Sequence, residues 1–310
     1  MGIFECRALS ALVLAVLPLS AAHAQYDDWL RLPKTGPWVM DYAQDSCALR
    51  SLFGEEGQQV YLELRQYQPG EAMQLIVSSD DLRRSDRGFS FRSSRGVTAN
   101  FIPDSEPHDH GRPMPIAIDG YGEGYISQIG ILTAEERRLD TQLTVTQGVD
   151  LAITQERREE RENEITGLAV GRAFNEDFVL ETGEMRSPMN AMRTCMDELL
   201  THWGIDAEAH KSLVRRVRPL EIESWARRLQ EEYPRDMLYR GEQAIVNIRL
   251  TVDESGRPSD CAVQNSLNEP TFDELACEML LRHARFESAI AGNGEPIASY
   301  WVTRVIYTIG

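Results

Sequence analysis

The two histidines of His108-Asp109-His110 are the closest pair in the chain, and they suggest metal binding. In an extended loop, residues two apart point the same way, so both imidazoles could reach one metal ion. Asp104 and Glu106 lie near, but the spacing identifies no third ligand. A polar loop is therefore the preferred interpretation, and we predict neither a metal site nor a bound cofactor.

Sequence patterns of known catalytic sites are missing from the chain. It contains no GxSxG turn, no HExxH pair and no phosphate-binding loop. The acidic pairs Asp80-Asp81 and Glu135-Glu136 are better explained as solvated turns. We predict that the protein is not an enzyme and has no catalytic residues. Because catalytic triads are defined by geometry, an exported hydrolase or metal-dependent enzyme with its site in residues 37–200 stays open as an alternative.

Residues 1–24 have the three parts of a secretory signal peptide. Arg7 precedes an apolar run from Ala8 to about Ala22, and Ala22-His23-Ala24 forms a small-x-small cleavage site. The run is shorter than the roughly 20 residues that span a bilayer, so an uncleaved anchor is the less favoured alternative. We expect cleavage after Ala24, a periplasmic location and no membrane span after cleavage.

Four cysteines follow this signal: Cys47, Cys195, Cys261 and Cys277. Their spacings contain no CxxC and match no zinc pattern. An even number in an exported chain indicates disulfides, for which three pairings are possible. The division into two domains described below favours Cys47–Cys195 and Cys261–Cys277.

The composition is that of a globular protein with an acidic surface. Hydrophobic residues make up 42% and charged residues 26% of the 310 residues, and the formal net charge is −17. The length allows two domains. A surface this acidic repels phosphate backbones, so nucleic acid is excluded as a partner.

Residues 25–204 are predicted to form a mostly-β domain, either a sandwich or an open barrel. Val60–Arg65 alternates between apolar and polar residues, and short runs at 73–77, 89–91, 97–101, 125–132 and 142–153 resemble further strands between turns. Residues 156–164 are densely charged, and we interpret them as a solvated loop or helical turn.

A helix over residues 188–203 is predicted to close this domain. Ser187 is a favourable N-cap and Pro188 suits the first helical position. Apolar side chains then recur at helical spacing, and these are Met192, Cys195, Met196, Leu199 and Trp203. Residues 205–232 follow as a predicted linker with one short amphipathic helix.

Residues 233–310 predict a small α+β domain in which a helix covers one face of an antiparallel sheet. Ala244–Val252 alternates cleanly, a second strand passes through Cys261, and a helical pattern starts near Thr271. A long final strand is predicted over Ile297–Ile309. The fold class of the whole chain is therefore α+β.

The last quarter of the chain resembles the C-terminal domain of TonB-like energy transducers. The resemblance rests on short motifs in a characteristic order, namely Tyr233-Pro234, Gly241, Val252-Asp253, Gly256-Arg257, Asp273-Glu274-Leu275-Ala276-Cys277, Arg285-Phe286, Ala289, Gly294, Pro296-Ile297 and Val305-Ile306-Tyr307. Full transducers also have an uncleaved membrane helix and a proline-rich spacer. Because neither is recognised here, a full membrane-anchored transducer is an alternative rather than the preferred prediction.

The resemblance implies a protein-binding module that acts by β-strand addition. The expected partner is a segment of an outer-membrane receptor, in TonB-dependent transport, or another envelope protein. The final strand is the expected edge, and its candidate partner-binding residues are Tyr300, Val302, Arg304, Ile306 and Tyr307. A long exposed edge also pairs with itself, so we expect a monomer or an edge-paired dimer.

Overall fold

Two antiparallel-rich sheets form the N-terminal half of the protein in the computed structural model, which describes residues 24–70, 72–82, 96–104, 108–109, 113–139, 155–266 and 270–307. The first sheet has the order β2-β3-β4-β5-β9-β8. Its strands are β2 Val39–Tyr42, β3 Cys47–Phe53, β4 Val60–Gln66, β5 Met73–Ser78, β8 Met114–Ile118 and β9 Gly122–Ile129. All of its neighbouring strands are antiparallel.

The second sheet has the order β1-β11-β10-β6-β7. Its strands are β1 Leu30–Pro33, β6 Thr98–Ile102, β7 His108–Asp109, β10 Gly167–Gly171 and β11 Phe178–Glu181. Only β1 and β11 pair in parallel. Side chains of both sheets, such as Leu62 and Leu168, belong to one buried core. The predicted mostly-β domain is confirmed as two packed sheets, and the described strands close no barrel.

Helix α2, Arg186–His202, packs against this core through Met192, Cys195 and Leu199. It begins two residues earlier than the predicted helix 188–203, so Ser187 lies inside the helix and Met185 takes the N-cap position. A tertiary contact fixes this start, because the Met185 N–H donates to the carbonyl of Glu162.

The charged run at 156–164 is part of helix α1, Gln155–Glu164, and its prediction as a solvated segment is wrong at two residues. Arg161 and Glu162 are buried. Arg193 of α2 binds both carboxylate oxygens of Glu162, at 2.5 and 3.1 Å. Burial is possible here because the partner charge comes from the neighbouring helix. The predicted strands at 89–91 and 142–153 lie outside the described residues.

Residues 205–232, predicted as a linker, contain helix α3 Ala207–Lys211, strand β12 Arg218–Leu220 and helix α4 Ile222–Glu231. Val217, Trp225 and Leu229 belong to a second buried core, which they share with the C-terminal strands. The segment is thus packed onto the C-terminal domain. Its apolar residues are sparse in sequence, which explains why the pattern resembled a linker.

The C-terminal sheet has the order β14-β13-β18, with both pairings antiparallel. After helix α5, Arg235–Arg240, come β13 Ala244–Val252, β14 Pro258–Ser266, helix α6 Pro270–His283, β15 Arg285–Glu287, β16 Ala289–Ile290, β17 Pro296–Ile297 and β18 Ser299–Tyr307. The predicted α+β class is confirmed. The final strand begins two residues later than predicted, because Ile297 pairs with β16 instead, and the predicted residues 308–309 lie outside the described part of the chain.

The position of Gly256 explains why the Gly256-Arg257 motif of the C-terminal domain contains a glycine. Its φ is +78°, and a Cβ added there would lie 2.0 Å from the carbonyl oxygen of Phe286. The Phe286 N–H donates to the Gly256 carbonyl at 3.0 Å. Only glycine allows this approach of the β13–β14 turn to β15.

Disulfides join the elements of each half. Cys47 of β3 bonds Cys195 of α2, and Cys261 of β14 bonds Cys277 of α6. These are the two pairs that the domain division favours. The first closes a separation of 148 residues, and the second a separation of 16.

We expect the longer disulfide to contribute more stability. Replacing Cys47 and Cys195 with alanine should cost up to about 5 kcal/mol, against about 3 kcal/mol for the Cys261 and Cys277 double variant, because a longer loop restricts the unfolded chain more. Hydrogen exchange in the full chain measures both. Loss of protection should concentrate in β3 and α2 for the first variant and in β14 and α6 for the second. Equal losses across both halves would contradict the prediction.

A buried carboxylate on the outer face of the first sheet gives a second test. Glu63 is buried and accepts hydrogen bonds from Arg65 at 2.7 Å, Tyr61 at 2.8 Å and Arg50 at 2.7 Å. Burial alone would raise the pKa of Glu63, but these three donors outweigh it and lower the pKa. The ionised form therefore stabilises the folded state.

We expect Glu63→Gln to lose about 1–3 kcal/mol of unfolding free energy at neutral pH. Because the folded pKa is lowered, this contribution is present above the unfolded value of about 4.3 and is lost as the pH falls through the folded value. Urea unfolding of the wild type and the variant from pH 7 down to pH 3 measures the difference. The exposed Glu55→Gln is the control. A difference that grows on acidification would show that the sign is wrong.

Candidate functional site

Strands β14 and β18 are the two edge strands of the C-terminal sheet, and β18 is the candidate edge that the sequence predicts. All nine of its residues pair with β13, from Ser299 opposite Val252 to Tyr307 opposite Ala244. No strand in the described part of the chain pairs with its other side. We call this unpaired side the β18 rim. Its main-chain donors and acceptors are available to an incoming strand.

Helices and aromatic residues cover one face of this sheet. The ring of Trp301 lies 5.1 Å from that of Phe286 and 5.7 Å from that of Trp225. The ring of Tyr307 lies 4.9 Å from that of Phe272 and 5.5 Å from that of Tyr233. These contacts belong to the second core, so this face of the sheet is closed to a partner.

The opposite face of the sheet carries polar side chains that contact the N-terminal domain. Gln264 of β14 donates to the main-chain carbonyls of Asp45, at 2.9 Å, and Tyr67, at 2.8 Å. The Arg249 guanidinium lies 3.5 Å from the Asp45 carboxylate and 4.3 Å from the ring centre of Trp203. Burial lowers the pKa of Arg249, and the carboxylates of Asp45 and Asp260 partly offset this. We call this set of contacts the domain contact.

The domain contact also includes two residues of β18. The ring of Tyr300 stacks on His210 at 5.6 Å and meets the edge of Trp203 at 5.8 Å. Burial raises the pKa of Tyr300 to about 12. Arg304 donates to Asn247 at 3.2 Å and to Gln74 at 3.4 Å.

These contacts divide the five candidate partner-binding residues into two groups. The side chains of Tyr300, Arg304 and Tyr307 are engaged within the chain. Ile306 exposes 49% of its surface, and Val302 is half-buried. What remains accessible on β18 is therefore the rim together with Ile306.

A cleft of about 640 Å³ lies where the two domains meet. The first residues of β18, Ser299 to Trp301, line one side of it. Helices α1 and α2 of the N-terminal domain line the other side, with Arg158 and Arg193 among their residues. We call it the interdomain cleft. Sequence reasoning missed it, because its walls come from segments more than a hundred residues apart and no local pattern marks them.

The histidine motif lies elsewhere. His108 and Asp109 form β7, which pairs with β6 at Thr98 and Ala99. His110 lies outside the described residues. Within the described ranges, no group of three His, Cys, Asp or Glu residues is placed to hold a metal ion.

Comparison with known families agrees with the fold of the C-terminal domain. Residues 230–309 match the model of the family described as Gram-negative bacterial TonB protein C-terminal. No curated protein sequence shows significant similarity to the chain. Among the helices of the described residues, none is both long and apolar enough to cross a membrane.

A match to this family implies an envelope-associated protein-interaction module in this part of the chain. The match of residues 230–309 confirms the resemblance to the TonB C-terminal family that the motifs of the sequence indicated. Domains of this family are interaction modules of energy transducers and are not enzymes.

We expect Asp45→Asn to loosen the domain contact. The change leaves the buried Arg249 charge without its nearest carboxylate but keeps the main-chain carbonyl that Gln264 uses, and such losses cost about 1–3 kcal/mol. Hydrogen exchange should increase in β14 and in residues 203–217. Asp27→Asn, at an exposed site, is the matched control. Unchanged protection in the Asp45 variant would show that the ion pair does not hold the domains together.

Proposed function

We propose that the protein acts in the periplasm by binding an extended segment of an outer-membrane receptor to the β18 rim, in TonB-dependent transport across the envelope. The observation that carries this proposal is the unpaired side of β18 in a domain of the TonB C-terminal family. A segment in β conformation would become the fourth strand of the sheet, bonded to β18 through its main chain.

The covered faces of the sheet restrict how a partner can bind. One face is closed by α4 and α6, and the other by the domain contact. A globular surface therefore has no flat face on which to dock, whereas an extended segment needs only the rim. This favours strand addition over other ways of binding a protein.

The periplasmic location is supported by the signal pattern of residues 1–24 and by the two disulfides. Disulfides persist in oxidising compartments such as the bacterial periplasm. The same compartment contains the periplasmic ends of outer-membrane receptors. Localisation and proposed partner are thus consistent with each other.

Site-specific photocrosslinking of the full chain in cells of the source organism tests the proposal. We expect p-benzoylphenylalanine in place of Ile306 to crosslink to an outer-membrane receptor, because this residue is exposed at the rim. Mass spectrometry should map the adduct to an extended receptor segment. The same probe at Tyr239, which is 87% exposed on α5, is the control.

Three outcomes would contradict strand addition to a receptor. The Ile306 probe could give no adduct, or it could give the same adducts as the Tyr239 probe. It could also crosslink only to a second copy of this chain, which would identify the rim as a dimer interface instead.

A further inference from the structure

We propose that the interdomain cleft is the specificity site for the bound segment, and that Arg158 binds a carboxylate side chain of that segment. This inference rests on the proposed function, and it adds the N-terminal domain to the partner site. The expected partner is an extended peptide with an aspartate or glutamate at one defined position.

The cleft lies at the beginning of β18. Ser299, Tyr300 and Trp301 begin β18 and also line the cleft. A segment paired along the whole of β18 would therefore have one end beside the cleft. A volume of about 640 Å³ lies in the range of ordinary ligand pockets, roughly 300–1,000 Å³. It is large enough for several side chains of such a segment.

Arg158 is the cleft residue that most clearly lacks a partner. Its Nε is buried without a hydrogen-bond acceptor, and no ion pair or hydrogen bond of this residue occurs within the described part of the chain. Its neighbours differ, since Arg157 pairs with Glu136 at 2.8 Å and Arg161 with Glu164 at 3.5 Å. A buried guanidinium N–H costs free energy until an acceptor satisfies it.

The acids nearest to Arg158 along α1 are already paired. Glu159 binds Arg186 at 2.5 Å, and Glu162 binds Arg193 at 2.5 Å. The charged residues of the lining balance, with three arginines and three acids, which are Arg158, Arg193, Arg216, Glu159, Glu162 and Asp197. The cleft is thus not acidic, although the chain carries a net charge of −17. An incoming carboxylate meets less repulsion here than on the average surface.

A carboxylate is the group that matches a guanidinium best. Its two oxygens accept parallel hydrogen bonds from the planar fork of arginine, which fixes direction as well as charge. Main-chain pairing along β18 is insensitive to the partner's sequence. Arg158 would therefore supply a sequence preference that the rim cannot.

A displayed library of random seven-residue peptides, selected on immobilised full mature chain, tests the inference. We expect the enriched peptides to share an aspartate or glutamate at one fixed position. Selection on the Arg158→Gln chain should enrich peptides without that preference. Arg235→Gln removes the same charge from an exposed site outside the cleft and should keep the preference.

The second measurement compares the affinity of one enriched peptide with that of a variant peptide, the twin, in which glutamine replaces the acidic residue. The wild type should bind the twin about tenfold more weakly, as for a charge-assisted hydrogen bond. The Arg158→Gln chain should differ between the two peptides by no more than about twofold. Arg158 has no partner to lose and its buried Nε–H is unsatisfied, so the variant should unfold at the same temperature as the wild type or at a higher one, which separates binding from stability.

Several results would overturn the inference. The enriched peptides could lack an acidic position, or selection on the Arg158→Gln chain could enrich the same acidic position as the wild type. If the Ile306 crosslinks still form, strand addition would then be supported without a role for the cleft. Glutarate alone could bind as tightly as the peptide, which would make the cleft a small-molecule site. No enrichment of any peptide would contradict strand addition itself and this inference with it.

Discussion

The polar face of the C-terminal sheet must remain paired with the N-terminal domain, and the arrangement of the protein depends on this constraint. Arg249 and Gln264 are buried there, and their partners, Asp45 and Tyr67, belong to the other half of the chain. Separating the halves would expose these partners to water but would also break a set of mutually oriented contacts. A shift of one half against the other that kept Arg249 buried would leave its guanidinium without the Asp45 carboxylate, and such a loss is costly. The TonB-like domain is therefore held in one orientation.

This orientation determines what β18 can offer a partner. Its side chains are divided between the aromatic core, where Tyr307 lies, and the domain contact, where Tyr300 and Arg304 lie. Only the main-chain groups of the rim remain available to bind a partner strand. Their hydrogen bonds provide affinity but discriminate little between partner sequences. Discrimination must then come from residues beside the strand. The N-terminal domain provides such residues at the interdomain cleft, which gives this half of the chain a role in binding.

Sequence patterns predicted the strands and helices of the fold better than they predicted which polar side chains these elements bury. Ala244–Val252 alternates, and Val246, Ile248 and Leu250 are fully buried as the pattern predicts. The same alternation marks Asn247 and Arg249 as a solvent face, yet both are buried, because periodicity reports apolar residues and not what covers the polar ones. For the same reason, the charge pattern of residues 156–164 gave no sign that Arg161 and Glu162 are buried. The cleft was beyond sequence reasoning, since it exists only through the orientation of the two domains.

An unpaired edge strand is normally a hazard, and its position here limits that hazard. Natural proteins protect such edges by covering them or by placing charges beside them. In this protein α1 and α2 line a cleft at the beginning of β18 with charged side chains, whereas Ile306 near the end of the strand is exposed. A single extended segment can pair along the rim and end at the cleft. A second sheet would carry helices or loops packed on its own faces, and these would collide with α1 and α2. The arrangement thus favours a narrow, extended partner over the open sheet-to-sheet pairing that leads to aggregation.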